Sequence, residues 1–148
     1  MNDKEKNDLL FVCSLLEYTA RLTHQKIGDL VKLIGKDELR WQLKFADVNH
    51  CLTFDETAYE LIEKYQIPQG DFDAVRNCSY RVPTKIQIGG VYRRLITNVM
   101  KPGDDVVDVL YEVLTSFMSE EISNFNASTF YENQSYLYHS YMAGELLP

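Results

Sequence analysis

Three times in this chain an Asn or Thr stands three residues ahead of a Glu or Gln at the head of an apolar run: Asn2 with Glu5, Thr53 with Glu56, and Thr84 with Gln87. This is the capping-box arrangement, in which cap and N3 side chains satisfy the first free N–H groups of a helix. Behind each cap the apolar residues recur at helical spacing. Phe11, Leu15, Tyr18 and Leu22 follow Asn2; Ala58, Leu61, Ile62 and Tyr65 follow Thr53; Ile88, Val91, Tyr92, Leu95 and Val99 follow Thr84. Strand-like alternation is weak throughout. The chain is therefore expected to be all-α, a single-domain bundle of about six or seven helices over residues 1–148, with 126–148 as a semi-detached C-terminal helix.

The expected helices run over 3–22, then from a Thr23 cap to Gly35, over Asp37–Asp47, from Thr53 to the Pro68–Gly70 stop, from Thr84 to Lys101-Pro102-Gly103, over 104–124, and over 128–143 from a Ser128 cap. Residues 67–82 read as an extended connector, because Pro83 disfavours helix at Val82. With 148 residues there is enough chain to bury a core without staples. No run approaches the 18 apolar residues of a membrane span, and the N-terminal stretch does not read as a signal peptide, its apolar run being broken by Ser14 and Glu17. Three scattered cysteines, Cys13, Cys51 and Cys78, do not form a disulfide framework, so a reducing cytoplasm is expected.

Charge is unevenly spread. The formal net charge is −7, which opposes general nucleic-acid affinity. Residues 53–75 carry six acids and one base. Residues 76–101 carry six bases (Arg76, Arg81, Lys85, Arg93, Arg94, Lys101) and no acid, and residues 102–148 carry eight acids and no Lys or Arg. The basic stretch interleaves Arg81, Arg93 and Arg94 with Tyr80 and Tyr92. Three readings stay open for it: pairing with the acidic 102–148 stretch, within the chain or between subunits; an ordinary solvated face; or a phosphate or nucleic-acid site.

Gly89-Gly90 falls inside the expected 84–100 helix, where each glycine costs roughly 1 kcal/mol against alanine. A close helix crossing is the expected compensation. The pair lacks the GxGxxG context of a dinucleotide site, and no cofactor is expected. The C-terminal stretch places Tyr131 and Tyr138 seven apart, with Tyr141 three further on. Tyrosines at one-face spacing serve either a binding surface or packing against the core.

The stretch ADVNHCLTFDE sets His50 beside Cys51, with Asp55 and Glu56 following. A nucleophilic pair or metal site is one reading. The other makes it a joint, with Cys51 and Leu52 buried under a turn, Asn49 or His50 serving free carbonyls, and the two acids at a helix start where the dipole favours them. Zinc would need four ligands at suitable spacing; Cys13, Cys78, His24 and His139 are isolated in sequence, so no metal or catalytic residue is assigned.

The stretches LLEYTARLTHQKIGDLVKLIGKDEL, ADVNHCLTFDETAYELIEKYQIP and YRVPTKIQIGGVYRRLI resemble an uncharacterised group of small bacterial helical proteins associated with candidate toxin–antitoxin gene clusters. The likeness covers most of residues 8–100 and transfers no functional residue. From the residues themselves, the expected function is non-enzymatic protein binding, antitoxin-like, regulatory or adaptor, through Tyr131, Tyr138 and Tyr141 on one surface and Arg81, Arg93 and Arg94 on another. The partner is another protein or a second copy. Phosphate or nucleic-acid binding through 76–101 is the alternative, an enzyme using His50 and Cys51 a third reading, and no membrane partner is expected.

Overall fold

The Asn2 box forms as read: its side chain accepts from the Glu5 N–H at 2.8 Å, and the Glu5 carboxylate accepts from the Asn2 N–H, starting helix α1 (Asp3–Thr23). This is seen in a computed structural model of the chain, which describes residues 1–49 and 51–148. The helices that follow are α2 (Ile27–Lys44), α3 (Ala46–Asn49), α4 (Phe54–Tyr65), α5 (Ala74–Asn77), α6 (Lys85–Val99), α7 (Val106–Leu114), α8 (Phe117–Ser123) and α9 (Gln134–Ala143), with a 3-10 turn at Thr129–Tyr131. No described residue lies in a strand. The architecture is all-helical, with nine α-helices among the described residues rather than six or seven.

The differences have local causes. Thr23 does not cap α2; it ends α1, buried, with its hydroxyl bonded back to the Thr19 carbonyl at 2.8 Å. His24 then turns left-handed at φ 52°, and α2 starts at Lys26 without a side-chain cap. Gly35, by contrast, ends a helical stretch as read: at φ 80° and ψ 170° it is non-helical, and α2 is two helical stretches meeting at this kink. The single helix expected over 104–124 is two. The Ser116 hydroxyl accepts from the Met118 N–H at 3.2 Å and starts α8 two residues after α7 ends. Apolar periodicity survives the break, with Val113, Met118 and Ile122 all buried, which is why spacing alone does not reveal it. The 128–143 segment begins as the 3-10 turn, and its helix is capped by Asn133, not Ser128. The connector 67–82 contains the single turn α5, capped by Asp73.

Helix α6 lies at the centre, with α1 packed along it and α7 and α9 on its other sides. Its inward residues Ile88, Val91, Tyr92, Leu95 and Ile96 are buried together with Leu9, Val12, Leu15 and Leu16 of α1. Each such side chain contributes about 1.5–3 kcal/mol by leaving water. The Gly89 reading is borne out: a Cβ there would stand 2.9 Å from the Ser14 N and 3.0 Å from its Cα. Only a glycine lets α6 sit this close on α1. Helix α9 rests on α6, burying Leu137 and Ser140. Helix α4, started by Thr53 accepting from the Glu56 N–H at 3.1 Å, lies across α1.

Candidate functional site

Two residues on the outer edge of α6 define the site. The inward stripe of α6 is fixed by its apolar residues, so Arg93 and Arg94, one and two positions past Tyr92, emerge beside it. Gly90, unlike Gly89, meets no neighbouring helix. A Cβ placed there would find only the Arg94 Nη1, at 3.4 Å, so the missing side chain leaves room for the Arg94 guanidinium to fold back over its own helix. Arg93 is half-buried, and its Nε is fully enclosed without a hydrogen-bond partner among the described residues. A buried donor left unpaired costs roughly 1–3 kcal/mol, so its presence calls for a reason.

Across from the arginines sits the 3-10 turn. Phe130 meets Phe125 edge-on at 5.8 Å and Tyr131 edge-on at 4.9 Å, which fixes Tyr131 with 69% of its surface exposed. Ser128 donates to the Glu132 carboxylate at 2.7 Å and tightens the same turn. Between turn and helix runs an open groove of about 490 Å³, lined by Leu10, Gly90, Arg93, Arg94, Tyr131 and Glu132 among others. Glu132 makes no ion pair with either arginine.

Of the six residues assigned to partner binding, Arg93, Arg94 and Tyr131 thus come together in one groove rather than on two separate surfaces. Arg81 is exposed on the loop before α6, outside this groove, and bonds to no described residue. Tyr138 and Tyr141 are half-buried against the core, with Tyr138 edge-on to His139 at 5.1 Å. Burial and the nearby Glu112 push the Tyr141 phenol upward. Leu10, Gly90 and Phe130 were not assigned to binding from sequence. The signal for Leu10 was an apolar residue one step off the α1 stripe.

The basic stretch does not pair with the acidic one among the described residues. Instead α2 does so: Lys26 with Glu120 at 3.1 Å, Lys36 with Asp108 at 3.0 Å, and Arg40 with Asp105 at 2.9 Å. Lys85 spends its charge over the Tyr18 and Phe54 rings, 5.0 and 5.1 Å from their centroids. The segment's remaining bases sit on different elements: Arg76 on α5, Arg81 on a loop, and Lys101 beyond α6.

Other polar centres are structural anchors. The buried Glu17 pairs with the half-buried Arg21 at 2.7 Å, and the Arg21 guanidinium also donates to the Pro83 carbonyl at 2.9 Å, tying the end of the connector to α1. Glu38 accepts from Tyr65 at 2.6 Å, Lys64 at 2.9 Å and Gln42 at 3.0 Å. Burial presses its carboxyl upward, but these donors prevail and hold it below the ordinary value. Asn49 donates to Gln42 at 3.0 Å rather than to a free carbonyl.

The ADVNHCLTFDE joint differs from the buried reading, since Cys51 and Leu52 are exposed. The turn is held by backbone bonds from Cys51 to Val48 and from Leu52 to Asn49, which leave both side chains outward. His50 lies outside the described residues, so its pairing with Cys51 does too. Asp55 accepts from the Tyr18 hydroxyl and occupies the first turn of α4. Among the described residues no three His, Cys, Asp or Glu side chains are grouped to hold a metal ion, and no helix is long and apolar enough to cross a membrane. Comparison with family models, characterised proteins and solved structures finds no match.

Proposed function

We propose that this protein is a non-enzymatic binding module that holds an acidic segment of a protein partner in the groove between α1, α6 and the Tyr131 turn. An antitoxin-like, regulatory or adaptor role in the cytoplasm follows from that reading. The observation that carries it is the Arg93–Arg94 pair, unneutralised beside an exposed tyrosine. An arginine fork recognises a carboxylate through paired N–H donors, and Tyr131 supplies a rigid apolar face with a polar tip. Three free cysteines are compatible with a reducing compartment.

Phosphate or nucleic-acid binding is the second reading, favoured by Arg94 being open to solvent beside the half-buried Arg93. Against it stand the scatter of the other bases over separate elements and the net charge of −7. Enzyme chemistry at His50 and Cys51 gains no support from the exposed turn on which Cys51 sits.

Salt-dependent titration separates the first two. Binding of a tetra-glutamate peptide and of an oligothymidylate is followed by fluorescence anisotropy at low and physiological salt. Under the proposal the peptide binds and competes with nothing on the oligonucleotide, because the latter does not bind. Oligonucleotide binding that falls by about 0.9 log units per contact for each log unit of salt, with no peptide binding, overturns it.

A further inference from the structure

The groove has a second chamber. Leu10 and Ile86 line both the arginine groove and an adjoining recess of about 220 Å³. That recess is walled by Phe11, Leu52 and Phe54 and contains Ser14. Its rim is unusually apolar for exposed surface: Ile86 is 51% exposed and Leu52 38%. Scattered exposed apolar residues are ordinary, but two of them framing one recess are a contiguous feature.

Ser14 lies beneath this wall, in the seam between α1 and α6. It is 1% exposed, and its hydroxyl has no hydrogen-bond partner. Thr19 and Thr23 on the same helix bond their hydroxyls to carbonyls at 2.8 Å; Ser14 does not. Among the described residues the buried side-chain polar atoms without partners are the Ser14 Oγ and the Arg93 Nε. The Ser14 Oγ is turned into the α1–α6 crossing, against the place a Gly89 Cβ would take, and is closed off from the recess; Arg93 lines the arginine groove, and the two chambers share Leu10 and Ile86. Guanidinium groups without a carboxylate beside an apolar recess suit a ligand that carries both an acceptor and carbon surface.

We infer that the two chambers take one protein segment of defined order: an apolar side chain in the Leu52–Ile86 recess, followed within a few residues by a carboxylate at Arg93 and Arg94. The chemistry at each end selects this occupant. The recess offers carbon surface from Phe11, Leu52, Phe54 and Ile86. The groove offers two guanidinium groups with no carboxylate paired to them, since Glu132 is engaged by Ser128. A bare phosphate fills only the arginine end, and a purely apolar segment leaves the arginines unmet. This inference rests on the acidic-partner reading above and adds the apolar anchor beside the charge.

The test uses the full chain, isotope-labelled, titrated with acetyl-Leu-Leu-Ser-Asp-Glu-amide, with the same peptide bearing Ser-Ser in place of Leu-Leu, with one bearing Lys-Lys in place of Asp-Glu, and with inorganic phosphate. Expected is that the first peptide shifts the methyl signals of Leu10, Leu52 and Ile86 together with the arginine Nε–H signals. Each single-end change, and the variants Ile86→Glu and Arg94→Gln, should weaken it about tenfold. Both variants lie at the surface, and an unchanged spectrum elsewhere verifies folding. If the acidic peptides shift the arginines equally with Leu-Leu or Ser-Ser, and the methyls stay still, the apolar anchor is wrong while the acidic-partner reading stands. If neither acidic peptide shifts the arginines, both readings fall. If phosphate alone reproduces the arginine shifts at similar affinity, the site is a general anion site and the two-chamber inference is overturned.

Discussion

Gly89 of α6 lies directly on the backbone of Ser14 in α1, at a separation where a Cβ would stand 2.9 Å from the Ser14 N. The next residue, Gly90, meets only the mobile end of the Arg94 side chain, at 3.4 Å. Neighbours in sequence therefore serve different ends, one the helix crossing and the other the binding groove. Gly89→Ala should destabilise the protein by about 1–3 kcal/mol through overpacking, outweighing its gain in helix propensity. Gly90→Ala should be neutral or stabilising by up to ~1 kcal/mol, because the arginine can swing aside. Urea denaturation midpoints at unchanged m-value measure both. Equal effects would mean the two glycines do the same job.

Arg93 carries an enclosed Nε with no partner. A side chain retained for folding would have one. Arg93→Met keeps the packed stem and removes the unmet donor, so stability should stay the same or rise by up to ~1 kcal/mol. Arg94→Gln, on the exposed edge, should change stability by no more than about 0.5 kcal/mol. A loss above roughly 1 kcal/mol in the Arg93 variant would show the guanidinium supports the fold.

Glu38 titrates below its ordinary value of 4.5 because three donors favour its charged form over the opposing effect of burial. A depressed carboxyl pKa adds stability that is fully present above the unfolded value and is lost as pH falls through the folded one. Glu38→Gln should therefore cost about 1–3 kcal/mol at neutral pH. The gap to the natural chain should start to narrow below pH 4.5 and close beneath the folded value. A constant gap from pH 7 to pH 3 in urea titrations would remove the carboxylate from this role.

The three thiols differ sharply in setting. Cys51 is exposed, Cys78 is half-buried with its Sγ 3.4 Å from the Tyr80 carbonyl, and Cys13 is in the core. Burial pushes the Cys13 thiol up to about 12, with Arg93 pulling weakly the other way. Alkylation followed by mass spectrometry should therefore modify Cys51 first, Cys78 more slowly, and Cys13 only in denaturant. Native-state labelling of Cys13 would mean that α1 and α6 separate readily.

The helix starts at Asn2, Thr53 and Thr84 were legible because a cap and its N3 partner lie within four residues, and no tertiary contact is needed to pair them. The close approach at Gly89 was legible from its cost, since a glycine pair inside a helix demands compensation. The break at Ser116 is not legible because the apolar spacing continues on both sides of it. Pairing of the basic stretch with the acidic one inside the chain, one of its three readings, is not found among the described residues for a related reason. Charge blocks adjacent in sequence need not be adjacent in space, and α2 reaches Asp105, Asp108 and Glu120 first.

By itself, then, the sequence determined that this chain is helical, where the helices behind Asn2, Thr53 and Thr84 begin, and that a glycine pair inside α6 calls for compensation, because those properties are set by residues a few positions apart. The tertiary structure alone decided that Leu10, Gly90, Arg93, Arg94 and Tyr131, drawn from α1, α6 and a 3-10 turn, line one groove. Such a juxtaposition depends on how helices pack and where each rotates to bury its stripe, and that is a property of the whole core rather than of any local spacing.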